Sequence, residues 1–340
     1  MPFRFGHMLG IESLSAEEIL FLLDQSKPFQ EIQRHPLKKL ATLRGKTVAL
    51  AFFEPSTRTR ISFATAAARL GADQMNLQAE SSSLKKGESL LDTVHTLNAM
   101  KPDCLVMRHA ASGAADFVAR NLDIPVINAG DGTHEHPSQG LLDALTIRDR
   151  RGSIENLKMT ILGDIQHSRV ARSNIQLLGK FACEFTLCGP AMWVPPELEK
   201  IGPPGTVIRR VSRIEEGLEG ADVILVLRVQ TERMHEPTLS AEEYILMYQL
   251  NAERLRLANP EAMILHPGPM NRGVEISPEV ADGAQSSILE QVTNGIAVRM
   301  ALLFLLMSGS TEAAGDSLAE ADASGRAVTM EKKESTHAAD

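Results

Sequence analysis

Two arginines alternate with hydroxyl side chains in one short stretch of the chain, Ser56-Thr57-Arg58-Thr59-Arg60. The stretch follows an apolar run, 47–53, that is typical of a buried strand, and it opens a small-residue helix that Gly71 ends. The first turn of a helix offers free backbone N–H groups, and a guanidinium binds phosphate oxygens through two parallel hydrogen bonds. The stretch therefore indicates an oxyanion site, with phosphate as the preferred ligand. The alternative is a helix cap with surface arginines.

Further polar side chains stand where predicted strands end or the next helix begins: Arg108, Arg169, Arg228 and Gln230. Because ligands of open α/β sheets bind at the carboxyl ends of strands, Arg108 is placed to meet the same anion as Arg58. Arg169 at a helix N-terminus suits a carboxylate. The turn before it contains only Gly163 in place of the dinucleotide-binding glycine fingerprint, so we exclude a nucleotide cofactor.

A Gly-rich loop, 130–140, opens a helix and contains His134 and His136. The pair could form half of a metal site, but no third ligand cluster follows at metal-site spacing, and such a loop suits a small substrate better. His136 is the better catalytic candidate, although either histidine could be a structural hydrogen-bond partner instead. A rigid turn, Pro267-Gly268-Pro269, could present backbone carbonyls to a ligand amide or amine.

Length and composition narrow the class of protein. A chain of 340 residues with 43% hydrophobic residues predicts about two domains with a sizeable core. A net charge of −8 without a basic stripe argues against nucleic-acid binding. Three cysteines and no signal peptide indicate a reducing cytoplasm, and the longest apolar run, 300–307, is too short to cross a membrane. We expect neither a cofactor nor a metal.

The alternation of strand and helix patterns predicts an α/β protein with two Rossmann-like parallel domains and an active site in the cleft between them. Phosphate-type groups lie in the first half and carboxylate-type groups in the second. A cleft that binds a phosphate on one wall and a dicarboxylate on the other is a bisubstrate transferase site. A phosphate-binding module alone would leave the second-half arginines unexplained.

Across residues 3–308 the chain resembles the aspartate/ornithine carbamoyltransferase family. The matching motifs are Phe53-Glu54-Pro55-Ser56-Thr57-Arg58-Thr59-Arg60, Lys86-Gly87-Glu88, Met107-Arg108-His109, Asn128-Ala129-Gly130-Asp131-Gly132, His136-Pro137-Ser138-Gln139, Arg228-Val229-Gln230 and His266-Pro267-Gly268-Pro269. The resemblance implies transfer of the carbamoyl group from carbamoyl phosphate to the α-amine of L-aspartate in de novo pyrimidine biosynthesis. It also implies a carbamoyl-phosphate domain over 1–150, an aspartate domain over 151–290 and a helix over 291–308 that packs back on the first domain. The composition of 309–340, rich in Ala, Ser, Gly and acidic residues, predicts a disordered tail.

Site residues follow from the same resemblance, position by position. Carbamoyl phosphate would be bound by Ser56, Thr57, Arg58, Thr59, Arg108, His136, Gln139, Pro267 and Gly268. L-Aspartate would be bound by Lys86, Arg169, Arg228 and Gln230, and catalysis would rest on Arg58, Thr59, Lys86, Arg108 and His136. Ser82 and Lys86 match a loop that enters the neighbouring subunit's site, which implies a homotrimer; judged alone, that loop would be a solvated one. The chain departs from the family pattern at Val170, where threonine is common.

Rival functions remain at this point. The ornithine branch usually has a cysteine in the motif that reads His266-Pro267-Gly268-Pro269 here, and it has an Asp-x-x-x-Ser-Met-Gly loop; neither occurs in this chain. Arg228 would also repel a cationic acceptor. A carbamoyltransferase for another amine, or a non-catalytic structural subunit, is the alternative. Association with a regulatory chain or with dihydroorotase is left open.

Overall fold

Two parallel sheets organise the part of the chain that the computed structural model describes, residues 6–78, 87–229 and 239–308. The first sheet has the order β2-β1-β3-β4, with β1 (Thr47–Phe52), β2 (Asp73–Gln78), β3 (Cys104–His109) and β4 (Val126–Asp131). The second has the order β7-β6-β5-β8-β9, with β5 (Lys158–Leu162), β6 (Glu184–Cys188), β7 (Val207–Val211), β8 (Val223–Val226) and β9 (Met263–Leu265). Neighbouring strands are parallel in both sheets, which confirms the predicted fold class.

Helices connect the strands. Those of the first half are α1 (Ala16–Arg34), α2 (Thr57–Arg69), α3 (Leu90–Ala99), α4 (Ala114–Ala119) and α5 (Pro137–Arg151). Those that follow are α6 (Arg169–Leu178), α7 (Ile214–Leu218), α8 (Ala241–Tyr248), α9 (Ala252–Leu255), α10 (Pro278–Ala281) and α11 (Ile288–Met307). Short 3₁₀ turns lie at Gly179–Phe181, Ala191–Trp193 and Pro196–Lys200.

Local sequence signals explain several of these boundaries. The sequence Ser15-Ala16-Glu17-Glu18 before an apolar run predicts a capping box, and Ser15 and Glu18 form it at the start of α1. Gly71 follows α2 with a φ of +84°, a left-handed conformation that glycine adopts without a Cβ penalty. All six residues of β4 are buried, as expected for a strand covered on both faces of a parallel sheet.

The last helix, α11, is the interior helix of the molecule. It packs against α1, α2 and α5, and Phe304 meets Phe29 edge to face with ring centroids 6.0 Å apart. Among the described residues it is the one helix long and apolar enough to span a membrane, but 72% of that apolar window is buried inside the protein. Its polar residues Gln291, Asn294 and Arg299 are buried as well. The helix is therefore buried on more than one face, as a core helix is.

Strand order decides where a ligand can bind. In the first sheet β1 lies between β2 and β3, and in the second β5 lies between β6 and β8. At such switch points the connections leave to opposite sides and open a crevice at the carboxyl ends of the strands. The loops after β1, β3, β5 and β8 therefore border two crevices, and the loops after β4 and β9 add further residues to the site.

Candidate active site

A cleft of about 560 Å³ brings the loops of both sheets together. Among the residues that line it are the sequence-predicted Ser56, Thr57, Arg58, Thr59, Arg108, His136, Gln139, Arg169, Arg228, Pro267 and Gly268. The remaining predicted residues, Ser82, Lys86 and Gln230, lie outside the described residues. The cleft thus joins residues that are more than 200 positions apart in the chain.

The start of α2 forms one wall. Ser56 is the N-cap residue, and its hydroxyl makes no capping hydrogen bond to the helix. The N–H groups of the first turn therefore remain directed at the cleft, where they and the helix dipole favour an anion. This geometry favours the oxyanion site over the alternative of an ordinary helix cap.

Arg58 packs directly on the turn that follows β9. A Cβ added at Gly268 would lie 2.8 Å from Nε of Arg58, and the φ of Gly268 is +66°. Only glycine fits both the close approach and the backbone conformation. Burial and then the nearby charge of Arg228 lower the pKa of Arg58, so guanidinium groups from the two sheets face each other across the cleft.

Glu54 ties two further arginines together, and the sequence analysis did not select it. Its Oε1 accepts a hydrogen bond from Nε of Arg108 at 2.6 Å, and it also accepts one from Nη2 of Arg169. A Cβ at Gly130 (φ +116°) would lie 3.1 Å from Nε of Arg169, so this glycine leaves room for the group. The signal was present in the sequence, since Glu54 stands two residues before the hydroxyl–arginine stretch.

His136 is held from two sides. It precedes α5, and its backbone N–H donates to Oγ of Ser173 at 2.8 Å. Its Nε2 lies 3.4 Å from Oγ1 of Thr59, so the ring reaches the phosphate wall. The helix begins at Pro137, four residues before the predicted start at Leu141, and this places Gln139 in its first turn.

The charge of His136 is set by its surroundings. Burial first, and then the charges of neighbouring arginines, hold the pKa of His136 well below its ordinary value. The arginines responsible are Arg108, Arg299 and Arg169. A neutral imidazole can donate one hydrogen bond to a developing oxyanion without carrying a charge of its own.

The opposite wall comes from the start of α6 and the end of β8. Arg169 is buried, and its Nη1 donates to the carbonyl of Gly132 at 3.2 Å. His167, Ser168, Val170 and Leu227 also line the cleft and were not predicted as site residues. His167 Nδ1 lies 2.9 Å from the buried carboxylate of Asp164, which orients its ring.

Family models match both halves of the chain. The carbamoyl-phosphate-binding domain of aspartate/ornithine carbamoyltransferase matches residues 6–149, and the aspartate/ornithine-binding domain matches residues 155–306. The chain belongs to the aspartate/ornithine carbamoyltransferase family. The predicted resemblance is therefore confirmed.

Curated relatives in this family are close in sequence. The chain is 53% identical over 310 residues to the aspartate carbamoyltransferase catalytic subunit of Syntrophotalea carbinolica, covering 91% of this chain and 97% of the relative. It is 57% identical over 296 residues to the subunit of the same name from Solibacter usitatus, covering 87% and 97%. The alignments span nearly the whole of these relatives.

Solved structures of the family have the same fold. Aspartate transcarbamoylase of Trypanosoma cruzi in complex with carbamoyl phosphate and aspartate matches with a TM-score of 0.79 at 30% identity, covering 88% of this chain and 95% of that one. The same enzyme in complex with N-(phosphonacetyl)-L-aspartic acid matches with a TM-score of 0.78 at 31% identity and the same coverage. Both domains are therefore those of a carbamoyltransferase.

Proposed function

We propose that this chain transfers the carbamoyl group of carbamoyl phosphate to the α-amine of L-aspartate, giving N-carbamoyl-L-aspartate and phosphate. One observation carries the proposal: a single cleft contains Arg58 and Arg108 from the first sheet and Arg169 and Arg228 from the second. A doubly anionic donor and a dicarboxylate acceptor both require cationic walls. The names of the relatives and of the solved structures support the same pair of substrates.

In the reaction the neutral amine of aspartate attacks the carbamoyl carbon, and a tetrahedral intermediate forms. The bond from that carbon to the bridging oxygen then breaks, and phosphate leaves with the electron pair. The amine loses its proton, for which the departing phosphate is a candidate acceptor. Catalysis rests on placing the two substrates and on stabilising the oxyanion.

Each wall has its own task in this scheme. The α2 N-terminus with Arg58 and Arg108 holds the phosphate, and neutral His136 with Thr59 faces the carbamoyl oxygen. Arg169 and Arg228 hold the aspartate carboxylates. Because these arginines repel the positively charged side chain of ornithine, ornithine is disfavoured as the acceptor.

An assay of acceptors tests the reaction directly. With carbamoyl phosphate as donor, we expect product from L-aspartate and none from ornithine or N-acetylornithine. Arg58→Ala should lower kcat by about 10²–10³, the usual cost of losing one oxyanion donor. Product from ornithine instead of aspartate, or near-normal turnover of Arg58→Ala, would contradict the proposal.

We further propose that the protein acts in the cytoplasm as a homotrimer, with Ser82 and Lys86 of one copy completing the site of the next. The family motif Lys86-Gly87-Glu88 supports the shared site, and the word subunit in the names of the relatives supports an assembly, with a regulatory chain or dihydroorotase as further partners. Two inactive variants, Lys86→Ala and Arg58→Ala, should regain activity when their trimers are dissociated and reassembled together. Without recovery, the sites are not shared.

A further inference from the structure

A buried carboxylate lies directly behind the cleft. Asp143, on α5, is fully buried and accepts three hydrogen bonds from side-chain amides. Gln139 donates through Nε2 to Oδ1 at 2.9 Å, Gln291 donates through Nε2 to Oδ1 at 2.6 Å, and Asn174 donates through Nδ2 to Oδ2 at 2.8 Å. These contacts join α5, α6 and α11, yet Asp143 itself does not line the cleft.

The direction of these hydrogen bonds is fixed by chemistry. Oε1 of Gln291 accepts the backbone N–H of His266 at 2.9 Å, so the amide nitrogen of Gln291 must face Asp143. An ionised carboxylate only accepts, and three donors surround this one. The amide nitrogen of Gln139 therefore donates to Asp143, and the amide oxygen, Oε1, is the group that faces the cleft.

The same network reaches the turn on the other side of the cleft. Nδ1 of His266 accepts the backbone N–H of Gly268 at 2.8 Å, so the ring proton is on Nε2, which lies 3.1 Å from Oε1 of Glu275. Both of these side chains are fully buried. The N–H of Gly268 is thus already hydrogen-bonded, and Pro267 and Pro269 have none. The turn can therefore bind a ligand only through its carbonyl oxygens.

We propose that Asp143 is a positioning residue that makes the cleft selective for a ligand amide. It turns the oxygen of Gln139 to the cleft and, through Gln291 and His266, holds the turn at Gly268 with its N–H directed inward. Gln139 and the turn then present acceptors and no donor to the cleft, so they bind an –NH₂ group, whereas an isosteric methyl group leaves these acceptors without a hydrogen bond. The inference rests on the carbamoyl-phosphate site of the proposed function.

Acetyl phosphate is the matched probe, because a methyl group replaces the amine of carbamoyl phosphate and the rest of the molecule is unchanged. Dissociation constants of carbamoyl phosphate, acetyl phosphate and inorganic phosphate would be measured for the full chain by competition. The wild-type protein should bind carbamoyl phosphate more tightly than acetyl phosphate. In Asp143→Leu, which nearly keeps the size of the side chain and removes both acceptor oxygens, Gln139 can turn its own nitrogen to the cleft, and the preference should narrow by about threefold to tenfold, the effect of one hydrogen bond.

Two further variants separate positioning from folding. Asn174→Ala removes the third donor to the same carboxylate without touching Gln139 or the turn, so it should lower the melting temperature and leave the preference unchanged. Gln291→Met keeps the size of the side chain and cuts the link to His266, so the preference should narrow again. Inorganic phosphate should bind within about twofold of wild type in all of them, since its partners lie at α2 and Arg108.

The outcomes are distinguishable. If wild-type protein does not bind carbamoyl phosphate, the proposed function itself fails. If it binds both acyl phosphates equally, or if Asp143→Leu retains the full preference, the inference alone is overturned. A parallel loss of all three ligands would mean that Asp143 only supports the fold. If Asp143→Leu does not fold, Gln291→Met decides by the same criterion.

Discussion

At the scale of single residues, burial and neighbouring charges shift the pKa of side chains in and near the cleft. His136 and His134 stand two positions apart, and their pKa values are shifted in opposite directions. Burial keeps the pKa of His136 well below its ordinary value, whereas the hydrogen bond that the ring of half-exposed His134 donates to Asp131 raises the pKa of His134. His136, which lines the cleft, is therefore kept neutral, whereas His134, which does not line it, is more readily protonated.

An NMR titration of the ring carbons checks this difference. His134 should titrate above pH 6.5 and His136 well below it. Because the unfolded chain protonates His136 near its ordinary pKa, the stability that this group contributes is present above pH 6.5 and is lost as the pH falls. The reverse order of the two titrations would contradict the assigned charge of the site.

Gly268 provides a second test, with Gly273 as its matched control. Both have a positive φ, +66° and +85°, but an added Cβ meets Arg58 at position 268 and nothing within 4 Å at position 273. We expect Gly268→Ala and Gly273→Ala each to lose about 1 kcal/mol of stability or more, and only Gly268→Ala to lose turnover as well. Equal turnover in the two variants would show that the packing of Arg58 on the turn does not matter.

Residue types at strand ends could be predicted from the sequence, but their partners could not. Arg58, Arg108 and Arg169 stand out because each follows a buried run. Glu54 also follows a buried run, but its role comes from Arg108 and Arg169, which are 54 and 115 positions away. Long-range hydrogen bonds of this kind require the fold.

At the scale of elements, strong local signals predicted the boundaries well and weak ones did not. The capping box of α1 and Gly71 after α2 were both recognised. A Gly-rich loop over 130–140 predicts that α5 begins at Leu141, whereas it begins at Pro137, because proline is common in the first helical position. Helices of four or five residues, such as α9 and α10, have too little sequence periodicity to be predicted.

The segment before α1 is fastened to the second half of the chain by Lys180. Its Nζ donates to the carbonyls of Ile11 at 2.7 Å and Glu12 at 2.9 Å. Lys180→Met should lower the free energy of unfolding by about 1–3 kcal/mol, because hydrogen bonds from a charged donor are lost. Lys27→Met, which removes a surface ion pair with Asp24, should change it by less than about 1 kcal/mol. Denaturant titration measures both, and equal effects would contradict this role.

At the scale of the whole molecule, the cleft exists because the chain crosses between its two halves more than once. After the second sheet, α11 returns to pack on α1, α2 and α5. Its Arg299 donates to Oγ of Ser62 at 2.7 Å and lies over the ring of Phe63, and burial lowers the pKa of this guanidinium to about 9. Two parallel domains were predictable from the repeating pattern, but the polar contacts that join them through α11 were not.

The most direct measurement is a calorimetric titration with N-(phosphonacetyl)-L-aspartate, which joins a phosphonate to the two carboxylates of aspartate and should span both walls of the cleft. The wild-type protein should bind it, and Arg58→Ala and Arg228→Ala should each weaken binding at least tenfold. Inorganic phosphate should lose affinity in Arg58→Ala and retain it in Arg228→Ala. If Arg228→Ala binds the bisubstrate analogue as tightly as wild type, the second wall does not hold aspartate and the account is wrong.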